Sequence, residues 1–147
     1  MDRIEFLNRY SELVKLVINR VKKTIENGLL SLEEDLDLEK VYNRDILEYG
    51  LMLVSNGYDE DYIGEILSNI IKEEKDEYTR LLKEIQSEAA CCLCRGYGVV
   101  QTYYILNSYT DLSFNDDPVK EFVAEAASYK YVKERNETFL MDYLHKK

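Results

Sequence analysis

Residues that break or cross-link a chain are scarce here: of 147 residues, one is proline, six are glycine, three are cysteine, one is histidine and none is tryptophan. So few breakers argue against a turn-rich β architecture and against low-complexity disorder. The lone histidine, His145, is near the C-terminus, where chains fray, so a Ser/His or Cys/His catalytic pair has little to build on. An odd number of cysteines packed into CCLC (91–94) is no disulfide framework, and a reducing cytoplasm is the expected setting. On a helix Cys91 and Cys94 share a face while Cys92 points away, so the three thiols read as small buried hydrophobes. No catalytic residue, metal or cofactor is expected. The N-terminus lacks the uninterrupted apolar core of a signal peptide.

Long apolar runs are missing too. The longest, Ala89 to Cys94, is far short of the roughly 20 residues a membrane-spanning helix needs, so no span is expected. Positive charge is in deficit, 19 basic against 29 acidic residues for a net −10, and a polynucleotide or an anionic membrane would be repelled.

What remains is 46% hydrophobic and 33% charged, long enough to bury a core, and is read as one helical domain over 1–147. Apolar residues at Ile4, Leu7, Val14, Ile18, Val21 and Ile25 step by three and four, with Leu13 and Val17 widening the stripe: a first helix over 3–26. Gly28 ends it. Ser31 and Glu34 have the spacing of a capping box, with the acids Glu33, Glu34, Asp35 and Asp37 crowding a short helix begun near Leu30. Asn43 is the expected cap of a third helix, which stops at Asn56-Gly57. Asp59 opens a long helix over about 60–95, interrupted in polarity by KEEKDE (72–77). After RGYG (95–98), VVQTYYILNSY reads as a shorter helix, and Asp116 or Asp117 with Pro118 opens a last one carrying Val119, Phe122, Val123, Ala126, Val132, Phe139, Leu140 and Leu144. The expectation is all-α, about six helices.

Thirteen tyrosines are unusual. Tyr97, Tyr103, Tyr104 and Tyr109 fall in one segment and Tyr129 and Tyr131 in the next, a candidate ligand pocket with apolar rings and polar tips. The plainer alternative is a set of core-edge phenols with their hydroxyls in water.

Taken in order, GLLSLE (28–33), YGLMLVSNG (49–57) and YIGEILSNII (62–71) resemble the cytoplasmic region of the MotA flagellar stator family over roughly residues 22–88, with a helical C-terminal part over 97–147 outside it. The resemblance implies a helical unit acting by protein–protein contact with flagellar rotor or stator components. It places Glu33 at a position linked to contact with the rotor's switch protein, while the family's basic position falls on Ile25. The family's transmembrane helices have no counterpart: their place is taken by AACCLCRGYGVVQTYY (89–104). The functional expectation is a cytoplasmic interaction protein using Glu33, Glu34, Asp35 and Asp37, with a tyrosine-pocket binding module or a self-associating homo-oligomeric scaffold as alternatives.

Overall fold

The computed structural model describes residues 1–128, and these are helical without a strand. Eight α-helices follow one another: α1 Arg3–Asn27, α2 Leu32–Asp35, α3 Leu38–Tyr42, α4 Ile46–Ser55, α5 Glu60–Ile71, α6 Glu77–Arg95, α7 Val99–Ser108 and α8 Lys120–Ala127, with 3₁₀ turns at Leu29–Ser31 and Phe114–Asp116. None is long and apolar enough to cross a membrane. Val132, Phe139, Leu140 and Leu144 lie outside the described residues.

Among the described residues the expected count of about six is therefore corrected to eight, for two local reasons. First, the long 60–95 helix is two helices. Asp76 accepts the backbone N–H of Thr79 at 2.9 Å and its hydroxyl at 2.7 Å, starting α6, while Glu74 accepts the N–H groups of Lys75 and Asp76 at 3.2 Å. Those side chains supply hydrogen bonds that a continuous helix would take from its own carbonyls, so the polar run folds α5 back onto α6. Second, the acidic segment after Gly28 divides into α2 and α3.

Aspartate starts helices throughout this chain. Asp2, Asp37, Asp45, Asp59 and Asp76 each accept the N–H three residues on. The cap of α4 is thus Asp45, not the expected Asn43, which instead closes α3; Arg44 then turns the chain at φ +58°. Asp117 receives the Val119 N–H at 3.0 Å, and α8 begins just beyond, at Lys120.

The core centres on α4, α5 and α6, with α1 laid across α6, α7 and α8. On α1 the buried stripe is Phe6, Tyr10, Leu13, Val14, Val17, Ile18 and Val21, rotated from the expected seam: Ile4 is 74% exposed, and Leu7 and Ile25 are half-buried. The shift brings two aromatic rings inward, Phe6 stacking on Tyr78 at 4.9 Å. Helices α4 and α6 approach closely at Gly50, where an added Cβ would lie 2.8 Å from the Ala90 Cβ and 3.1 Å from the Leu67 Cδ1.

Candidate functional site

The segment from Leu29 to Tyr42 is built from short pieces. Gly28, at φ +87°, ends α1 and donates its N–H to the Thr24 carbonyl at 2.8 Å. Ser31 does not form the expected capping box: it is already helical, and its hydroxyl donates to the Gly28 carbonyl at 2.7 Å, closing the 3₁₀ turn. Leu32 and Val41 are buried and Leu36 is half-buried, so the segment is pinned at three points.

Beneath it lies a buried ion pair. The Arg20 guanidinium donates to the two Glu48 oxygens at 2.6 and 2.7 Å, a bidentate fork, and reaches the Asp35 carbonyl at 3.0 Å. One side chain of α1 thereby holds both α4 and the last turn of α2. Lys23, a turn along α1, pairs with Glu34 at 3.0 Å and Asp35 at 3.1 Å, and these carboxylates raise its ammonium above the ordinary lysine value.

The four acids singled out from sequence thus differ in place. Glu34 and Asp35 face Lys23, Asp37 caps α3 through the Lys40 N–H at 3.2 Å, and Glu33 is exposed with no partner among the described residues. Around them Leu29, Leu30, Leu38 and Tyr42 are exposed, Leu30 at 72% and Tyr42 at 84%. These outward apolar side chains were absent from the sequence-based candidates, although their signal was present: apolar residues interleaved with acids in helices too short to bury more than one side chain each.

The candidate tyrosines are dispersed. Tyr103 is fully buried, and its hydroxyl donates to the Asp117 Oδ2 at 2.7 Å beside the Tyr10 hydroxyl at 2.8 Å and the Asn107 amide at 2.8 Å. Burial, and then the neighbouring carboxylate, push both phenols far above their ordinary range. Tyr104 packs on Phe114 at 5.6 Å, Tyr97 lies under the Arg95 guanidinium at 5.5 Å, and Tyr109 lines a groove of about 480 Å³ with Lys72, Arg80 and Glu84. Tyr129, Tyr131 and His145 lie outside the described residues.

Helix α6 runs unbroken through the cysteines. Burial pushes the Cys91 thiol up to about 11 and the Cys92 thiol up to about 12, so both stay protonated and unreactive near neutrality. Cys94, partly exposed, donates weakly to the Tyr58 carbonyl at 3.8 Å. Among the described residues, no three His, Cys, Asp or Glu side chains are grouped to hold a metal ion. In comparisons with known proteins, no family model, no curated protein and no solved structure matches this chain.

Proposed function

We propose that this chain acts by docking a partner protein through the Leu29–Tyr42 segment, in the manner of the MotA cytoplasmic unit its motif order resembles, in the cytoplasm and without catalysis. The observation that carries the reading is the four exposed large hydrophobics on a pinned, acidic segment. Exposed leucines interleaved with acids favour a partner that brings both an apolar face and basic side chains, the acids steering approach and the leucines supplying burial. Glu33 is the acid on offer to that partner, because Lys23 already occupies Glu34 and Asp35.

Rotor and stator proteins of the flagellar motor are the first partners to test. Binding of the rotor switch protein and of stator cytoplasmic regions is measured at low salt, with the full chain and with Glu33→Arg. The expected result is saturable binding that weakens with added salt and with the substitution. No binding at low salt overturns the flagellar assignment. Light scattering in the same buffer separates docking of a different protein from self-association: a concentration-independent monomer removes the scaffold alternative.

A further inference from the structure

The partner that suits the Leu29–Tyr42 surface, apolar and basic at once, has a match within this same chain. Residues 129–147, beyond the described part, hold four lysines and Arg135 against three acids. These are five of the chain's 19 basic residues and three of its 29 acidic ones, which leaves 14 basic and 26 acidic residues in 1–128. The end of the chain is thus net basic on a strongly acidic body. Its apolar residues Val132, Phe139, Leu140 and Leu144 follow at steps of seven, one and four, the spacing of one helical face.

The surface keeps the opposite sign when its own cations are counted. Within 29–42 the acids Glu33, Glu34, Asp35, Asp37 and Glu39 face one cation, Lys40, and Lys23 of α1 adds a second. Arg20 beneath is matched by Glu48, while Arg44 and Asp45, just beyond the segment, cancel. Three negative charges remain, beside the exposed Leu29, Leu30, Leu38 and Tyr42.

The end of the described chain is placed to reach this surface. Asp117 meets Tyr10, and Phe122 lies under the Lys15 ammonium at 5.9 Å. Helix α8 therefore runs beside α1 in the same direction, and Ser128 follows it toward the end of α1 from which Leu29 continues. Arg20 and Lys23, which hold the acidic segment, lie on another side of α1 by helical spacing. The path is about 10–12 Å across one helix and about 9 Å along it. Nineteen residues span about 28 Å as a helix and about 60 Å extended, so the length suffices in either form.

We propose that residues 129–147 dock on the Leu29–Tyr42 surface of their own chain, apolar side chains on the leucines and lysines toward Glu33 and Glu39, and that a partner binds by displacing them. The cover rests on the docking reading of that surface and adds regulation to it. Tethering supplies an effective concentration on the order of millimolar, so even a weak contact occupies the surface. It also shields apolar side chains that would otherwise promote association.

The test is zero-length carbodiimide cross-linking of the full chain at low salt and low protein concentration, with the monomer band digested and its linked peptides read by mass spectrometry. Amide links from Lys130, Lys133, Lys146 or Lys147 to Glu33 or Glu39 are expected, with the Lys23 to Glu34 pair as internal standard. Leu30→Ser with Tyr42→Ser removes no linkable group and should lower the tail links about two- to fivefold against that standard. Circular dichroism melts check that the variants fold as the parent does. Absence of tail links while the standard forms, tail links in a dimer band only, or indifference to the double substitution overturns the cover. With the rotor and stator proteins as probes, Lys146→Glu with Lys147→Glu should tighten binding about two- to fivefold by freeing the surface. Unchanged affinity overturns the cover and leaves the docking reading standing. Cross-linking uses no partner, so tail links without any partner binding uphold the contact and strike the docking reading alone.

Discussion

Arg20 and Glu48 are 28 positions apart, and each sits in a helix where a charged side chain ordinarily faces water, so nothing in their spacing announces that they meet. Only folding reveals it, because the pairing depends on α1 and α4 being brought within reach of each other through their shared neighbours. Since both are buried, truncating one strands the other: Glu48→Ala should cost about 3–5 kcal/mol in urea unfolding, while Arg20→Met with Glu48→Leu should recover most of the loss. A single-variant cost under about 1 kcal/mol would contradict that geometry. Tyr10 escaped the sequence reading for a related reason: a tyrosine beside an aliphatic seam is as easily a rim residue as a core one, and Asp117, which decides the matter, is 107 positions away. The protonated groups give a pH prediction. Cys91 and Cys92 rise from 9.0, and Tyr10 and Tyr103 from 10.0, so the folded chain holds these protons more tightly than the unfolded one. Their stabilisation is complete below pH 9, and above it stability falls as the unfolded chain ionises first, by up to about 1.4 kcal/mol per pH unit for each group. Denaturation midpoints between neutral and strongly alkaline pH should show this decline. A Cys91→Ala, Cys92→Ala double variant should flatten its onset and leave the tyrosine part.

At the scale of elements, α1 and the two halves of the 60–95 stretch lie where apolar helical periods put them, and α4 and α7 lie where the Asn56-Gly57 stop and the RGYG break put them. The break at Lys72–Asp76 was not legible, because a polar run is compatible with an exposed helical turn until one acid commits to a cap. Asp76 is one acid among several there, and composition alone does not choose it. Asp76→Ala should cost about 1 kcal/mol by loss of the cap, measured in urea. Helix α3 was missed because five residues are too few for any period to register. Gly50 in α4 looks from sequence like a weak point of a helix, where alanine would help. The close approach of Ala90 and Leu67 reverses that expectation, and Gly50→Ala should destabilise by about 1–3 kcal/mol. On the docking segment, Leu30→Ser with Tyr42→Ser should leave the unfolding midpoint nearly unchanged, since both are exposed, and should abolish measurable capture of a basic partner.

For the whole molecule, acidity has two separable parts. Five of the 29 acidic residues are aspartates engaged at helix starts, so part of the negative charge is architectural, whereas Glu33, Glu12 and Glu39 face outward without such a task. Neutralising the outward set should change salt-dependent association while the melting temperature stays within a few degrees, a contrast that mutating the caps would not produce. The candidate docking segment was legible as an acidic stretch and not as an apolar one, because exposure of Leu30 and Tyr42 is a property of how α2 and α3 are anchored. One last consequence concerns the order in which the chain is made. The Asp117 carboxylate receives the hydroxyl of Tyr10 from the first helix together with Tyr103 and Asn107 from α7. A ribosome must therefore release nearly all of the described chain before the first helix can complete its own contacts, and until then α1 waits with a tyrosine hydroxyl lacking its final acceptor. Early-made helix and late-made acid share one latch, which makes emergence of Asp117, rather than formation of α1, the event that closes it.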